Sequence, residues 1–402
     1  MLDLPLAGIR VFDMTRILAG PYSTALLADL GAEVIKLEPP TGDEYRHIGP
    51  FCDGESALFQ LTNRGKKSIA IDLRLAEGQR LAQDIAATCD VTIENFRPGV
   101  AAKFGLDSAS LRARHPKMIY ASISGFGQTG PWTNLPAYDL VVQALSGLMA
   151  VNGEEGGNAL KVGESYGDLM GGLFASWAIL AALFRRAKTG EGAAIDVAMH
   201  DALFSLLPTA HAQFLYAGRE PKRIGNRHPL STPFGCYAAS DGLIAICVLN
   251  DKHFAAFSSI IKQPDLPSDQ RFASDSARTI NELALKALIE AWLRPLSAEF
   301  AVDLLEAAGI PCALIRTFMD AAQSEQTNAR ELISTLPHPK LGNVQVVGQP
   351  VFFDGVKPVA SIVAPALGAD ADAILGPDGL GFPPAEIARL KALGVIRGAD
   401  HE

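Results

Sequence analysis

The sequence is poor in cysteine, and its cysteines form no recognisable metal or redox motif. Five cysteines are scattered over 402 residues, with no C-x-x-C pair and no histidine at the spacing of a zinc ligand. This pattern argues against a structural zinc site, so we expect no metal. An odd number of scattered cysteines in a long chain is typical of a reducing compartment.

Basic charge and long apolar runs are also scarce. Lys and Arg total 35 against 44 Asp and Glu, and the net charge of −9 argues against a nucleic-acid partner because no basic block offsets it. The first residues show no basic segment ahead of an apolar one, so no secretory signal is predicted. The longest apolar run, Leu169–Phe184, is shorter than a membrane span. We therefore expect a cytoplasmic protein with no membrane partner.

Signature motifs of several enzyme classes are missing too. The sequence contains no P-loop, no H-E-x-x-H motif and no recognisable Ser/His/Asp signature. The first predicted strand-loop-helix offers only Gly20, and the glycine-rich stretch "GFGQTGP" at 125–131 does not match G-x-G-x-x-G. The residues therefore give little support to a dinucleotide-binding site.

The first half of the sequence alternates short β-rich runs with helical patterns. "GIRVFDM" and "AEVIKLE" are typical of strands, and "PYSTALLADLG" between them is typical of a helix with Pro21 near its first turn and Gly31 past its end. Further strands are predicted at "KSIAIDL", "DVTIENF" and "PKMIYASIS". This order predicts an α/β fold with a parallel sheet wrapped by helices.

Changes in composition divide the rest of the chain. The Pro, Gly and Arg content of "YAGREPKRIGNRHPLSTPFG" indicates a linker. The hairpin pattern "CYAASDGLIAICVL" and two helical patterns follow, which predicts a smaller α+β domain. We predict that residues 1–205 begin a large domain, 206–228 form a linker, 229–325 form the small domain and 326–402 return to the large one.

Asp168 opens a long apolar helix pattern in "KVGESYGDLMGGLFASWAIL". As a helix N-cap it would accept hydrogen bonds from the orphan amides of the first turn. As a functional group it would stay ionised near the helix N-terminus, and the surrounding glycines would let a bulky substrate approach a carboxylate nucleophile. The residues alone favour the cap and leave both roles open.

Other candidate groups follow predicted strands. The amides of Gly125, Gly127 and Gln128 either stabilise a developing negative charge or form an ordinary turn. Basic side chains occur in "NRGKKS" and "NFRPG", also at predicted strand ends. Because α/β folds bind phosphates at strand ends, these cations are either phosphate ligands or solvated surface charges.

Taken together, these segments resemble the class III CoA-transferases, the CaiB/BaiF family that includes formyl-CoA transferase and carnitine CoA-transferase. The resemblance runs in the family's order and spacing through residues 6–204 and returns more loosely near "IPCALI" and "PAEIARLKALGVI". Its carriers are "LAGIRVFDMTRILAGPYSTALLADLGAEVIKLEPPTGD", "NRGKKSIAIDL", "ENFRPGVAAKFGLD", "IYASISGFGQTGP", "AYDLVVQALSG", "GDLMGGLFASWAILAALFRRAKTGEG" and "DVAMHDALF".

This resemblance implies that Asp168 is the nucleophile of a CoA-transferase. The carboxylate would attack an acyl-CoA thioester, pass through a mixed anhydride and an aspartyl-CoA thioester, and deliver CoA to a carboxylic acid acceptor. It also implies that Tyr138 lies near the active site. The thioester of coenzyme A is then a substrate, and no permanently bound cofactor is expected. The residues implied to contact CoA are Lys36, Arg64, Lys66 and Arg97.

The resemblance also implies an architecture. A Rossmann-like large domain would be formed by both chain ends, with a smaller α+β domain between them. Two chains would interlock as a homodimer.

Departures from the family leave other activities open. Acyl-CoA racemases of this family carry a histidine before the acid that matches Asp139, and this chain has Tyr138 there, so two-base proton transfer lacks one partner. A 2-methylacyl-CoA racemase or epimerase is therefore the second hypothesis. A catalytically silent CoA-binding protein is the third, because a fold alone does not settle function.

The resemblance further indicates a dicarboxylic acyl group such as succinyl. "MTRILAGP" and "KVGES" look closer to branches that handle succinyl, mesaconyl, malyl or citramalyl groups. Arg16, Arg46 and His47 would pair with the distal carboxylate, since arginine binds carboxylates through two parallel hydrogen bonds. The alternative for each is a solvated surface cation. Leu18 stands where the formyl-CoA branch has a glutamine, which argues against oxalate as the acceptor.

Overall fold

The strands predicted from the apolar pattern of the first half are present. The computed structural model describes residues 4–358 and 362–398. In chain order its strands are β1 (Arg10–Asp13), β2 (Glu33–Glu38), β3 (Phe51–Cys52), β4 (Glu55–Ser56), β5 (Lys66–Ile71), β6 (Val91–Glu94), β7 (Ile119–Ser124), β8 (Ala193–Ala198), β9 (Phe234–Ala238), β10 (Leu243–Cys247), β11 (Cys312–Leu314), β12 (Ile333–His338), β13 (Gly342–Val347) and β14 (Ile396–Arg397).

Helices connect most of these strands, and a predicted helix lies between β1 and β2. The helices are α1 (Ala19–Asp29), α2 (Ala57–Asn63), α3 (Ala76–Ala87), α4 (Ser108–Arg114), α5 (Asp139–Leu145), α6 (Leu148–Val151), α7 (Tyr166–Thr189), α8 (Met199–Ser205), α9 (Pro208–His211), α10 (Asp251–Ile260), α11 (Asp275–Ile280), α12 (Glu282–Leu293), α13 (Ala298–Ala307), α14 (Phe318–Ala322), α15 (Glu325–Ala329), α16 (Ala371–Leu375) and α17 (Pro384–Ala392).

The main sheet is dominated by parallel pairs. Seven strands of the described chain form it, in the order β14-β5-β2-β1-β6-β7-β8. All neighbours are parallel except β14, which runs antiparallel to β5 and brings residues near the C-terminus back to the sheet. The predicted α/β fold with a large parallel sheet is thereby confirmed.

Successive residues of the central strands enter separate cores on the two faces of this sheet. Val11 and Val34 pack with α1 and α7 on one face, whereas Phe12 and Ile35 pack with α3 and α17 on the other. This follows from the two-residue period of a strand and from burial of both faces of a parallel sheet. The adjacent strands β1, β6 and β7 end side by side, so the loops that follow them share one edge.

Contacts divide the chain into two compact units. The larger contains the residues up to Leu148, residues 161–212 and the chain from Asn328 onward; the smaller contains 149–160 and 213–327. Within the smaller unit, β9, β10 and β11 form an antiparallel sheet that packs with α10, α12 and α13. Residues 149–160 join this unit through contacts that are distant in sequence: the Gly225 amide donates to the Gly153 carbonyl (2.9 Å), more than seventy residues away. Local composition does not indicate such a contact.

The helix α7 is longer than the apolar run Leu169–Phe184 in the sequence. It spans 24 residues, and among the described helices it alone is long and apolar enough to cross a membrane by length and composition. Ala175, Ile179 and Ala182 pack in the sheet's core, as in the core helix of a folded domain. The predicted cytoplasmic location stays a prediction.

Candidate active site

Asp168 lies in the first turn of α7 but does not cap it. Ser165 occupies the N-cap position, and Asp168 is the third helical residue. The orphan amide of Gly167 donates to Asp139 Oδ1 (2.7 Å), a carboxylate supplied by α5. Asp139 thus accepts one of the orphan amides of the first turn, and the Asp168 carboxylate makes no hydrogen bond or ion pair with any residue of 4–358 and 362–398. Of the two roles left open by the sequence, Asp168 does not take that of the N-cap, and the functional one stays a prediction.

Glycines bring this carboxylate to the carboxyl edge of the sheet. A Cβ at Gly172 would lie 2.3 Å from the Ala19 carbonyl oxygen, and one at Gly171 would lie 2.9 Å from the Met199 side chain. Both distances are too short for any side chain. The run "GDLMGG" therefore lets α7 pack directly against the start of α1, with Asp168 one turn ahead of the contact.

Burial and a neighbouring carboxylate change the acidity of Asp168. Burial first, and then the negative charge of Asp139, raise the pKa of Asp168 from 3.8 to about 7. The charge of Asp168 in turn affects the pKa of Tyr45. Burial and the charge of Asp168 raise the pKa of the Tyr45 phenol to about 12, so that it stays protonated at neutral pH.

Asp168 lines a cavity of about 130 Å³. The wall is mostly apolar, and its basic member is Arg97, which has no ion pair among the described residues. Tyr138, 71% exposed, also lies at this cavity, as does Gly125, whose lack of a side chain admits Ala137. The lining residues are Ile17, Leu18, Ala19, Asn95, Phe96, Arg97, Pro98, Ile123, Ser124, Gly125, Thr133, Leu135, Ala137, Tyr138, Asp168 and Met199.

Two of the backbone amides predicted to stabilise negative charge donate to side-chain oxygens of the protein instead. The Gly127 N–H donates to Ser124 Oγ (2.9 Å), and the Gln128 N–H donates to Asp196 Oδ2 (2.9 Å). These bonds tie the loop after β7 to the end of β7 and to β8, which corrects the prediction for Gly127 and Gln128. By contrast, the amides of Leu18 and Ala19, which line the Asp168 cavity, donate to no described acceptor.

A second cavity, of about 300 Å³, adjoins the first. Phe96 lines both, and Arg16 and Arg74 are the basic residues of the second. Arg16 stacks over the Phe96 ring (5.2 Å to its centroid) and lies 3.4 Å from Glu44. Most of the residues that line this second cavity lie at or just after the ends of β1, β2, β5 and β6. This is the position where open parallel sheets bind nucleotides.

The structure corrects three of the four cations predicted to contact CoA. The Lys66 ammonium is fully buried and donates to Asp13, Asn63 and the Pro21 carbonyl. Lys36, equally buried, pairs with Asp43 (2.8 Å). Arg64 binds both oxygens of Asp29. These ammonium and guanidinium groups face protein carboxylates and leave no surface for a phosphate. Of the four, Arg97 lines the Asp168 cavity.

The three residues predicted for a distal carboxylate also lie elsewhere. Arg46 forms two 2.7 Å hydrogen bonds to Glu38 and stacks on Phe59. His47 is exposed and bonds to the Thr41 carbonyl. Neither they nor Arg16 line the Asp168 cavity, so the structure corrects this set.

Sequence reasoning missed Tyr45, Arg74, Phe96 and the capping role of Asp139. Phe96 stands inside the quoted run "ENFRPG", so its place after a strand was a signal that could have drawn notice. The capping role of Asp139 had none, because its partner Gly167 lies 28 residues away.

Comparison with known proteins agrees with this site. The profile of CoA-transferase family III matches residues 6–371. The chain is 40% identical to the acetyl-CoA:oxalate CoA-transferase of Acetobacter aceti (87% of this chain, 90% of that protein). It is 36% identical to the succinyl-CoA:glutarate CoA-transferase of Mus musculus (98% and 90%). The crystal structure of a CaiB/BaiF family protein from Brucella suis superposes with a TM-score of 0.82 at 36% identity, covering 93% of this chain and 99% of that one.

The chain belongs to CoA-transferase family III. It is therefore an enzyme that transfers CoA between an acyl-CoA and a carboxylic acid, and the resemblance seen in the sequence is confirmed.

Proposed function

We propose that Asp168 is the nucleophile of this CoA transfer. The observation that carries the proposal is a carboxylate without any partner among the described residues, at a mostly apolar cavity, in a helix turn where Asp139 accepts the Gly167 amide. Partners that lower the pKa of a carboxylate also weaken it as a nucleophile. Asp168 lacks such partners, and its pKa of about 7 leaves about half of it ionised at pH 7 and makes it more basic than an ordinary aspartate.

The transfer then takes four displacements. The Asp168 carboxylate attacks the thioester carbonyl and expels CoA thiolate, giving a mixed anhydride. The thiolate attacks the Asp168 carbonyl and releases the donor acid, giving an aspartyl-CoA thioester. The acceptor carboxylate attacks that thioester and expels the thiolate, which finally attacks the acceptor's anhydride carbonyl and frees Asp168. Each addition develops an oxyanion, and the unused amides of Leu18 and Ala19 are the donors we propose for it.

We propose that CoA spans the two cavities. Its nucleotide would occupy the larger, beside Arg16 and Arg74, and its pantetheine arm would cross Phe96 and Arg97 to reach Asp168. The shared Phe96 supports this path.

The acids exchanged are proposed to be dicarboxylic. The relatives just described are named for oxalate, succinyl-CoA and glutarate, and another, 38% identical, is the succinate–glutarate CoA-transferase of Agrobacterium fabrum. An acceptor screen should therefore include oxalate beside glutarate and mesaconate, despite Leu18.

Trapping the intermediate tests the proposal. Intact-mass spectrometry after succinyl-CoA is expected to show an adduct that hydroxylamine or borohydride traps, with peptide mapping to Asp168. Asp168→Ala should show none. An adduct retained in Asp168→Ala would contradict the nucleophile role, because another residue would then carry it. Entry of solvent deuterium into a 2-methylacyl-CoA with no adduct would favour the racemase.

Replacing Arg97 tests the CoA path. Arg97→Gln is expected to raise KM for the acyl-CoA about tenfold, as loss of a charge-assisted hydrogen bond worth ~1.4 kcal/mol would, while kcat stays within about threefold. Steady-state kinetics measure both, with the exposed Arg80→Gln as the matched control. A KM unchanged in Arg97→Gln would remove Arg97 from the CoA contacts.

We propose a homodimer, as the resemblance implies. Leu173, Trp177 and Phe184 form one exposed apolar stripe on α7 (45%, 65% and 65% exposed), and such patches mark interfaces. Sedimentation equilibrium should give about twice the 42.6 kDa chain mass, and Trp177→Glu should shift it toward one chain. A monomeric unmodified protein would contradict the proposal.

A further inference from the structure

The loop between β1 and α1 holds an unfavourable backbone conformation beside Asp168. Ile17 has φ of 66°, in the left-handed region that β-branched residues rarely adopt. Ile17, Leu18 and Ala19 together form one wall of the Asp168 cavity. Such strain persists only where the surroundings over-determine it, and it concentrates at functional sites.

Two side chains from neighbouring strand ends clamp this loop. Asn95, after β6, accepts the Arg16 N–H through Oδ1 (2.9 Å) and donates through Nδ2 to the Arg16 carbonyl (2.8 Å). Asp43, after β2, accepts the Ile17 N–H through Oδ1 (3.0 Å). The clamp therefore holds both sides of the strained residue's preceding peptide group.

The buried charges of β2 hold the clamp itself. Lys36, fully buried, pairs with Asp43 Oδ2 (2.8 Å) and donates to the Thr15 carbonyl (2.9 Å). Asp43 Oδ1 also accepts the Tyr45 N–H (3.0 Å), which fixes the carboxylate from the other side. Lys36, which the resemblance implied as a CoA contact, thus secures the loop beside Asp168.

We propose that Asn95 and Asp43 are positioning residues, which hold Ile17 in its left-handed conformation and so set the wall that faces Asp168. The inference rests on the proposed role of Asp168. The amide of Asn95 has its oxygen and its nitrogen engaged by Arg16, so it acts through the backbone rather than on the substrate. Loss of the clamp lets the wall relax away from the reacting carbonyl.

A glycine rescue tests this arrangement. Asn95→Ala is expected to lower kcat about 10²-fold with KM for the acyl-CoA nearly unchanged, because a shift of about 1 Å in a reacting group costs that much. Glycine adopts positive φ without steric cost, so adding Ile17→Gly to Asn95→Ala should restore kcat at least about tenfold. Asn95→Asp, nearly isosteric, keeps the acceptor and removes the donor, and should reproduce the loss if Asn95→Ala folds poorly.

Asn281→Ala is the matched control, since Asn281 also donates to two backbone carbonyls, those of Arg271 and Ala277, in the smaller unit. It should leave kcat unchanged. A raised KM in the Asn95 variants, or no rescue by Ile17→Gly, would show that Asn95 contacts substrate or only supports the fold, and would overturn the proposal.

Urea unfolding separates this inference from the nucleophile proposal. Ile17→Gly should stabilise the Asn95→Ala protein more than it stabilises the unmodified one, because the clamp and the glycine serve the same conformation. That non-additivity is measured without turnover, so it stands or falls independently of any adduct at Asp168. Additive effects would overturn the clamp.

Discussion

Asp168→Asn is expected to lower kcat by roughly 10⁴-fold or more and, at pH 8, to raise the midpoint of thermal unfolding. Asparagine removes the nucleophile at almost constant shape. It also removes a charge that the fold holds at a cost, because burial and Asp139 disfavour the ionised form. Steady-state kinetics and calorimetry on the same samples measure both effects.

The pH dependence gives the sign of the stability change. The pKa of Asp168 is about 7 in the folded chain and near 3.8 when unfolded. Below 3.8 both states are protonated and the group contributes nothing; between the two values only the unfolded state ionises, so stability falls as pH rises, and above 7 the full penalty is present. The stabilising effect of Asp168→Asn should therefore be absent at pH 3 and complete at pH 8.

Activity should follow the opposite trend. Only the ionised carboxylate attacks the thioester, so kcat/KM should fall about tenfold per pH unit below 7. Asp201→Asn is the matched control, a first-turn acid of α8 that lies outside both cavities, and it should alter neither activity nor the acidic limb. An inactive Asp168→Asn that unfolds at lower temperature at pH 8 would mean that the residue supports the fold.

Much of the fold could be predicted because local patterns determine it. The alternation through "GIRVFDM" and "AEVIKLE" and the Pro21 and Gly31 boundaries correspond to β1, α1 and β2. Asp168 could be singled out because glycines flank it at the start of a long apolar helix. The sequence could not show that Asp168 is free of a capping role, since Asp139, in α5, accepts the Gly167 amide instead.

The cations show where a sequence is ambiguous. Lys66 and Lys67 are adjacent in β5, and the alternation of a strand sends one inward and the other outward. The sequence does not say which, because apolar neighbours on both faces of a buried strand remove the usual signal. Lys66 is fully buried against Asp13, whereas Lys67 pairs with Glu33 with about two fifths of its side chain exposed. Its charge at a predicted strand end, together with the resemblance, implied a CoA contact for a residue that is buried in an ion pair with Asp13.

Lys66→Met is expected to destabilise the protein by about 3–5 kcal/mol, because it leaves the buried Asp13 carboxylate without its partner. Burial alone would raise the pKa of Asp13, but Lys66, Lys36 and hydrogen bonds from Thr15 and Thr24 lower it to about 2. A lowered pKa stabilises the fold above the unfolded value of 3.8, and that contribution disappears as pH falls through 2. The deficit of the variant, measured by urea unfolding, should therefore shrink toward pH 2.

Lys67→Met supplies the matched control, since its partly exposed pair should contribute no more than about 1 kcal/mol. The folded fraction of Lys66→Met should keep the KM of the unmodified enzyme for acyl-CoA. A raised KM with stability unchanged would restore Lys66 to the CoA contacts and contradict its structural role. Adding Asp13→Asn to Lys66→Met should recover part of the lost stability, because it removes the buried carboxylate that Lys66→Met leaves unpaired. Only a buried ion pair predicts that recovery.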